Sequence, residues 1–226
     1  MNAMFCRAFQ CCFAVGARFL PWRTPEVFSG EGSLLRTADI LRENGLRRPF
    51  VVASRRQCAD EHFRALQEKL DEQDILLSIF SSVEPNPSAQ TVEKIVAQYQ
   101  LDGCDCFLVI GGGSPMDAAK AAAARLARPD KSLSQLAGLL KVRRRIPTLI
   151  AVPTTAGTGS ETTIAAVITG SDHHKCAISD LCLIPRYAIL DPALTVGLPP
   201  HITAETGMDA LTHAVEAYLS RFYNTK

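Results

Sequence analysis

Short apolar runs alternate with longer amphipathic runs through most of the chain, from Pro49 to Leu190. The short runs are rich in branched residues and predict buried strands, whereas the longer runs place apolar residues on one side at helical spacing. Predicted strands cover residues 50–54, 75–80, 106–110, 148–152 and 188–190, and predicted helices cover residues 60–72, 91–99 and 115–127. This alternation is typical of parallel strands joined by right-handed helical crossovers, so the sequence predicts an α/β fold with a doubly wound parallel sheet.

The pattern changes after Leu198-Pro199-Pro200. Residues from Ile202 to Arg221 predict one long helix, and no strand follows it. We therefore divide the chain into a leader of unknown role (1–25), an α/β domain (26–195) and the start of an incomplete all-helical domain (196–226). The apolar face of the long helix has little to pack against in this chain, so we expect that helix to fray or to associate with another surface.

Composition and charge limit the kinds of molecule that the protein is expected to bind. Hydrophobic residues make up 47% of the chain and the formal net charge is +1, which argues against a nucleic-acid binder that works by phosphate neutralisation. The densest basic cluster, Arg143-Arg144-Arg145, is interpreted as a solvated loop. No apolar run reaches the roughly 18–20 residues that a membrane helix needs. We therefore expect neither nucleic acid nor a membrane as a partner.

The cysteines and the first residues bear on the cellular compartment. The eight cysteines show no paired CxxC spacing, so they predict reduced thiols in a cytoplasmic protein rather than a zinc ribbon. Residues 1–25 contain three arginines and no acidic residue, which is compatible with an organelle-targeting segment. The segment lacks the serine-rich character of a transit peptide, so we favour an unstructured leader or a misassigned start.

A glycine-rich turn joins the predicted strand at 106–110 to the helix that follows, and its residues are Gly111, Gly112, Gly113, Ser114, Pro115, Met116 and Asp117. Glycines let the backbone turn tightly and let a phosphate approach the amide groups. Ser114 suits the N-cap and Pro115 suits the first helical position, so the helix start would present free N–H groups to an anion. Three glycines exceed what a turn requires, and we favour a phosphate site over a turn without a ligand. The spacing is neither that of the GxGxxG fingerprint nor that of a Walker loop.

A second polar loop, from Pro153 to Thr162, follows the predicted strand at 148–152. It lies at the carboxyl edge of the sheet, where ligands of open α/β sheets bind. The hydroxyl groups of Thr154, Thr155 and Thr158 could bond to pyrophosphate or ribose oxygens. Taken alone, such a loop is more typical of a polar segment that caps a helix.

A carboxylate and an imidazole stand four residues apart in the long C-terminal helix, as Asp209 and His213. This spacing places both side chains on one helical face, where they could bind a single divalent metal. The alternative is a local hydrogen bond between the two side chains at the surface, and the spacing alone favours that alternative.

In this order, the three segments resemble the iron-containing (type III) alcohol dehydrogenase family. From about Glu31 to Ser220, the chain is similar to the N-terminal, cofactor-binding portion of that family. The resemblance is carried by Gly111 to Lys120, Pro153 to Glu161 and Asp191 to Tyr218. It implies a dehydroquinate synthase-like domain that binds NAD or NADP, followed by the start of a helical metal-binding domain. It also implies hydride transfer between a small alcohol or aldehyde and the cofactor, with iron(II) or zinc acting as a Lewis acid on the substrate oxygen.

The resemblance further implies roles for individual residues. Asp209 and His213 would be the first two metal ligands. The implied cofactor contacts are Gly111, Gly112, Gly113, Ser114 and Asp117 for the pyrophosphate and its neighbouring ribose, Thr154, Thr155 and Thr158 on the nicotinamide side, and Asn86 and Lys175. For Asn86 and Lys175, a role in a turn or on the surface is an equal alternative.

One departure from the family pattern concerns the choice of cofactor. Many NAD-preferring relatives have an aspartate at the end of the first strand, where it holds the ribose 2′-hydroxyl, whereas this chain has Ser54 followed by Arg55 and Arg56. An aspartate would repel a 2′-phosphate, and a hydroxyl beside two guanidinium groups could bind it. We therefore expect NADP to be accepted, unless both arginines point into solvent.

A second departure concerns the metal site. The family completes this site with two further histidines, several tens of residues beyond the first pair, and the chain has no histidine after His213. The sequence thus predicts either a fragment of an NAD(P)-dependent alcohol dehydrogenase or a non-catalytic NAD(P)-binding protein derived from one. Glycerol dehydrogenases and sugar-alcohol phosphate dehydrogenases of the wider superfamily are further alternatives. Relatives often form dimers or larger assemblies, so a homo-oligomer is also implied.

Overall fold

A computed structural model of the protein describes residues 20–170 and 174–219. With strands numbered in chain order, the main sheet consists of six parallel strands, which are, from edge to edge, β1 (Glu26–Ser29), β9 (Tyr187–Leu190), β6 (Thr148–Pro153), β4 (Cys106–Gly111), β2 (Pro49–Ala53) and β3 (Ser78–Phe80). A second, small sheet has the order β5 (Gly138–Leu139), β8 (Lys175–Ser179) and β7 (Ala165–Thr169). The predicted parallel α/β sheet is confirmed.

Helices cover both faces of the main sheet. They are α1 (Arg36–Glu43), α2 (Arg55–Cys58), α3 (Glu61–Asp71), α4 (Ala89–Leu101), α5 (Gly113–Ala127), α6 (Leu133–Leu136), α7 (Ala193–Val196) and α8 (Pro200–Leu219). Helices α3, α4 and α5 provide the crossovers between successive parallel strands, as the alternating pattern predicts. Residues 1–19, which form most of the predicted leader, and the predicted helix end at Arg221 lie outside the described residues.

The central strands are buried on both faces, which is why their sequences are continuous apolar runs rather than alternating ones. All residues of β2 and β4 are buried. Phe50 and Phe107 belong to a core on one face together with α4 and α5, and Tyr99 stacks on Phe107 with ring centroids 4.6 Å apart. Val51 and Leu108 belong to the core on the other face, against α1 and α3.

Helix α8 is the least buried of the long elements. None of its residues is buried, and Met208, Leu211 and Tyr218 are 61%, 55% and 74% exposed. The expectation that its apolar face has little to pack against is therefore confirmed for the described residues. No helix within residues 20–170 and 174–219 is both long and apolar enough to cross a membrane.

The structure contains elements that the pattern of apolar residues does not predict. Strand β1 is an edge strand with mostly exposed side chains, and the strands of the small sheet have two to five residues each. The predicted strand at 75–80 is strand only from Ser78, because Ile75 is buried beside the end of α3 instead of pairing with β2.

Candidate functional site

A cleft of about 470 Å³ opens at the carboxyl edge of the main sheet, between the loops that follow β2, β4 and β6. The backbone N–H of Thr154 donates to the carbonyl of Gly111 over 3.1 Å, which holds the second and third of these loops together. Helix α7 and the first turn of α8 close the other side, through Leu194, Gly197 and Ile202. The lining includes five of the residues predicted to bind a cofactor, Ser54, Gly112, Ser114, Thr154 and Thr155.

The glycine-rich turn presents the N-terminus of α5 to this cleft. The helix begins at Gly113, with Gly112 as an N-cap that makes no side-chain hydrogen bond. The prediction that Ser114 is the N-cap is therefore wrong, because the flexible glycine backbone lets the helix begin earlier, before Ser114. Gly111 has to be glycine, since a Cβ atom there would lie 2.7 Å from Cγ of Pro115. The first N–H groups of a helix of this length lack partners within the helix, and they suit an anionic ligand.

Ser114, which does not cap the helix, connects the glycine-rich turn to the loop before α4. Its hydroxyl oxygen accepts from the backbone N–H of Asn86 over 3.4 Å. Asn86 has the left-handed backbone conformation, with φ of 55°, and its carbonyl accepts from the hydroxyl of Thr169 over 3.3 Å. Asn86, predicted as a cofactor contact, thus bonds to the glycine-rich turn and does not itself line the cleft.

The threonines after β6 occupy three different environments. The hydroxyl of Thr154 accepts from the side-chain amide of Gln57 over 2.7 Å, and the methyl group of Thr158 lies beside Gly113. The hydroxyl of Thr155 is buried and has no hydrogen-bond partner among the described residues. A buried hydroxyl without a partner costs free energy. It therefore marks a place where a ligand oxygen fits.

At the end of β2, Ser54 begins helix α2 with a capping box. Its hydroxyl accepts from the backbone N–H of Gln57 over 3.3 Å, and its own N–H donates to the side-chain oxygen of Gln57 over 2.7 Å. Arg56 lines the cleft and donates to the carbonyl of Gly197 over 2.5 Å, whereas Arg55 is not part of the lining. One guanidinium group and one hydroxyl therefore line the cleft at the end of β2.

Behind the glycine-rich turn, Lys120 is fully buried. Its Nζ donates to the carbonyls of Ser160 (2.6 Å), Thr163 (2.8 Å) and Ala165 (3.2 Å), and to the hydroxyl of Thr163 (2.9 Å). Burial lowers the pKa of Lys120 to about 8, so the side chain is still charged at neutral pH. This ammonium group fastens α5 to the segment that follows the threonine loop.

One turn before Lys120, Asp117 lies mostly buried beneath the same loop. Its carboxylate accepts from the hydroxyl of Ser160 over 3.4 Å. Burial raises the pKa of Asp117 to about 6, although a backbone hydrogen bond from Val167 and the charge of Lys120 act in the opposite direction. Asp117 does not line the cleft, so its contacts support the loop rather than the cleft surface.

The two predicted metal ligands lie one helical turn apart in α8. Nε2 of His213 is 3.7 Å from Oδ1 of Asp209, and both side chains are about half exposed. The described residues contain no group of three or more side chains that could hold a metal ion. A catalytic zinc site uses three protein ligands, so these residues supply only part of such a site.

Comparison with known proteins shows the family of the chain. The sequence profile of the family described as iron-containing alcohol dehydrogenase matches residues 24–192, which is more than half of the chain. The chain belongs to this family. The match includes all three loops of the cleft and ends before α8.

Individual relatives of the family show how much of a whole protein the chain represents. The probable alcohol dehydrogenase EutG of Escherichia coli is 38% identical over 195 residues, which are 86% of this chain and 49% of the relative. The structure of a 1,3-propanediol oxidoreductase superposes with a TM-score of 0.86 at 34% identity, over 92% of this chain and 55% of that one. The chain thus spans about half the length of the relatives that it matches.

A third relative bears on the ligand. The structure of sulfoacetaldehyde reductase from Bifidobacterium kashiwanohense, solved with NAD+, is 33% identical and superposes with a TM-score of 0.77 over 90% of this chain and 54% of that one. In this chain, the N-terminus of α5 and the unpaired hydroxyl of Thr155 lie together at the cleft.

Lys175 is one of the predicted cofactor residues that do not line the cleft. It begins β8, pairs in register with Thr169 and lines a different cavity, between α4 and the small sheet. Its connection to the glycine-rich turn is indirect, through Thr169, Asn86 and Ser114. This position matches the surface alternative more closely than direct contact within the cleft.

Two residues that hold the loops of the site in place, Gln57 and Lys120, were not predicted from the sequence. Gln57 caps α2 and bonds to Thr154, and its signal is the Ser-x-x-Gln spacing from Ser54 that is typical of a capping box. Lys120 has a weaker signal, since it is the single charged residue inside a run of alanines and stands three residues after Asp117. A lysine at that place in a buried helix must find oxygen partners.

The raised pKa of Asp117 predicts a pH dependence of stability. Because the folded protein binds this proton more tightly than the unfolded chain, the free energy of unfolding contributed by Asp117 falls as the pH rises from about 4 to 6. Asp117→Asn removes this titration, so the stability of the variant relative to the original protein should increase by about 2–3 kcal/mol between pH 4 and pH 7. Urea unfolding at four pH values measures the difference, and a constant difference would contradict the prediction.

Proposed function

We propose that this protein is an NAD(P)-linked alcohol dehydrogenase that transfers hydride between a small alcohol or aldehyde and the cofactor. The observation that supports the proposal most directly is the cleft at the carboxyl edge of the sheet, where the open N-terminus of α5 faces the unpaired hydroxyl of Thr155. Family membership and the NAD+-bound relative support the same assignment.

The residues of the cleft have distinct parts in this proposal. The N–H groups of Gly113 and Ser114 bind the pyrophosphate through the positive end of the α5 dipole. The hydroxyl of Thr155 donates to the cofactor, and Thr154 is held for a similar contact by Gln57. A nicotinamide cofactor bound there would accept a hydride from the alcohol carbon in the oxidation direction, and the hydroxyl proton would pass to solvent.

We further propose that the protein accepts NADP. Arg56 lines the cleft beside Ser54, and a serine rather than an aspartate stands at the end of β2. The carboxylate of the lining, Asp60, is bonded to His62. Arginine binds phosphate through paired N–H groups, so Arg56 is the residue that would hold it. Parallel titrations with NADPH and NADH test this preference, and tenfold tighter binding of NADH would contradict it.

Asp209 and His213 are proposed to supply two ligands to a divalent metal, either iron(II) or zinc. Iron(II) and zinc both accept nitrogen and oxygen ligands. The described residues contain no third side chain that would join Asp209 and His213 in a metal site. This observation favours a second candidate, a non-catalytic NAD(P)-binding protein of the same family. Oxidation of 1-propanol or 1,3-propanediol by the protein in the presence of added iron(II) or zinc would exclude the second candidate.

Thr155→Val tests the cofactor site directly. The valine has the same shape and removes a hydroxyl that has no partner, so the free energy of unfolding should stay constant or rise slightly. Binding of NADPH, followed by its fluorescence, should weaken by about 5–20-fold, because one hydrogen bond to the ligand is lost.

Thr212→Val is the matched control for this variant, since it removes an exposed hydroxyl of α8 that lies outside the cleft. It should leave the affinity for NADPH unchanged. Equal affinities of the original protein and Thr155→Val would exclude the proposed contact, and an absence of saturable binding of both cofactors would exclude the proposed function.

A further inference from the structure

Three arginines from distant parts of the sequence meet at the amino-terminal edge of the main sheet, opposite the cofactor cleft. Arg23 precedes β1, Arg145 precedes β6 and Arg186 immediately precedes β9. They line one small cleft of about 80 Å³, together with Thr148, Cys182 and Ile184 among others. The fold therefore gathers three positive charges that the sequence shows only as separate residues and as part of a basic loop.

Two of these guanidinium groups are held in place by uncharged partners. Arg23 donates to the carbonyl of Cys182 over 3.2 Å and to the carbonyl of Ile184. Arg186 donates through Nε to the hydroxyl of Tyr187 over 3.1 Å and stacks over the ring of Tyr187, 5.5 Å from its centroid. These contacts orient the N–H groups without neutralising their charge.

The carboxylates near this cleft do not neutralise it either. None of the ion pairs among the described residues includes Arg23, Arg145 or Arg186. Asp180 directs its carboxylate to the backbone N–H groups of Val142 (3.0 Å), Arg143 (3.0 Å) and Cys182 (3.3 Å). Glu26 acts on Arg186 only through its longer-range charge.

Neither the thiol beside the cleft nor the first residues of the chain supply the missing negative charge. Burial, followed by the charge of Asp180, raises the pKa of Cys182 to about 12, so its thiol is neutral at physiological pH. Residues 1–19 contain no aspartate or glutamate. Three guanidinium groups around one cleft repel each other, and an anion placed among them would relieve that repulsion.

We propose that Arg23, Arg145 and Arg186 form a binding site for a phosphate group, either free or carried by a small molecule. Guanidinium groups match the oxygens of a phosphate and form paired, charge-assisted hydrogen bonds with them. The cleft is much smaller than the cofactor cleft, so the phosphate group enters while the remainder of a larger ligand stays outside. The site is independent of the proposed dehydrogenase activity, since it lies at the other end of the strands.

Titration calorimetry with inorganic phosphate, in a phosphate-free buffer, tests the proposal. We expect saturable binding with a Kd of about 1 mM or lower, and binding at least about tenfold weaker in Arg145→Gln. Arg145 is exposed and makes no hydrogen bond through its side chain in the described structure, so its replacement leaves the fold intact. Arg186→Gln should weaken binding in the same direction.

Arg143→Gln is the matched control. It removes the same charge from the same loop, but the guanidinium of Arg143 donates to the carbonyl of Leu140 over 2.6 Å and does not line the cleft. Binding within about twofold of the original protein supports the site, whereas equal weakening in both variants, or no saturable binding, overturns it. Parallel titration with glycerol phosphate distinguishes a free phosphate ion from a phosphorylated small molecule. If the ester binds at least as tightly as inorganic phosphate, the ligand is a phosphorylated small molecule. If only inorganic phosphate binds, the ligand is the free ion.

Discussion

Replacing Lys120 with methionine should lower the free energy of unfolding by about 3–5 kcal/mol, the range typical of a broken buried charged contact. The methionine side chain has a similar length but cannot donate, so the carbonyls of Ser160, Thr163 and Ala165 lose their ammonium partner inside the protein. Asp117 loses the positive charge nearest to it as well. The loss is large because the carbonyl of Ser160 is buried and those of Thr163 and Ala165 are partly buried, so water replaces the ammonium group poorly.

Urea unfolding at pH 7 measures this effect, with Lys94→Met as the matched control. Lys94 is exposed on α4, so its replacement should change the free energy of unfolding by less than about 0.5 kcal/mol. A loss below about 1 kcal/mol for Lys120→Met would show that the loop holds its position without the ammonium group. In that case the contacts of Lys120 would be incidental to the fold.

The central part of the fold could be predicted from the sequence because its strands are buried on both faces. Strands β2, β4 and β6 are continuous apolar runs, and burial on both sides requires such runs. Strand β1 gives no comparable signal, since its side chains are mostly exposed and it depends on pairing with β9, more than 150 residues further along the chain. The small sheet is similar, because β5 is two residues long and pairs with β8 across the intervening β6 and β7.

Some features of the candidate site can be predicted from neighbouring residues in the sequence, and others depend on contacts between distant segments. Glycines before a helix predict the phosphate-binding turn because the requirement is local. The capping role expected for Ser114 is wrong because the actual helix start depends on how Gly112 and Gly113 fold. The unpaired hydroxyl of Thr155 and the carbonyl contacts of Lys120 arise only when β4, α5 and β6 come together, and no spacing in the sequence encodes them.

Helix α8 touches the rest of the protein through one narrow face. Ile202, Thr206 and Ala210 are half-buried at helical spacing, and the turns beyond them are exposed. The contact is closest at Gly157, in the threonine loop, where an added Cβ atom would lie 2.1 Å from the carbonyl oxygen of Thr206. Two backbones meet here, so no change of side-chain rotamer can make room.

Gly157→Ala should therefore displace α8 and lower the free energy of unfolding by about 2–3 kcal/mol, as overpacking does. Hydrogen exchange should show at least about tenfold faster exchange of the α8 amides, which corresponds to about 1.4 kcal/mol of lost protection. Gly207→Ala is the control, because its Cβ atom meets nothing within 4 Å, and an alanine inside a helix should raise stability by about 0.5–1 kcal/mol.

The same pair of variants tests whether α8 contributes to the cofactor cleft. Ile202 of α8 lines the cleft opposite Gly112, so a displaced helix leaves one side of the cleft open. Gly157→Ala should weaken the binding of NADPH, while Gly207→Ala should leave it unchanged. Unchanged binding in Gly157→Ala, together with faster exchange in α8, would show that the loops after β2, β4 and β6 hold the cofactor without the helix. In that case, the face formed by Ile202, Thr206 and Ala210 would serve only to anchor α8.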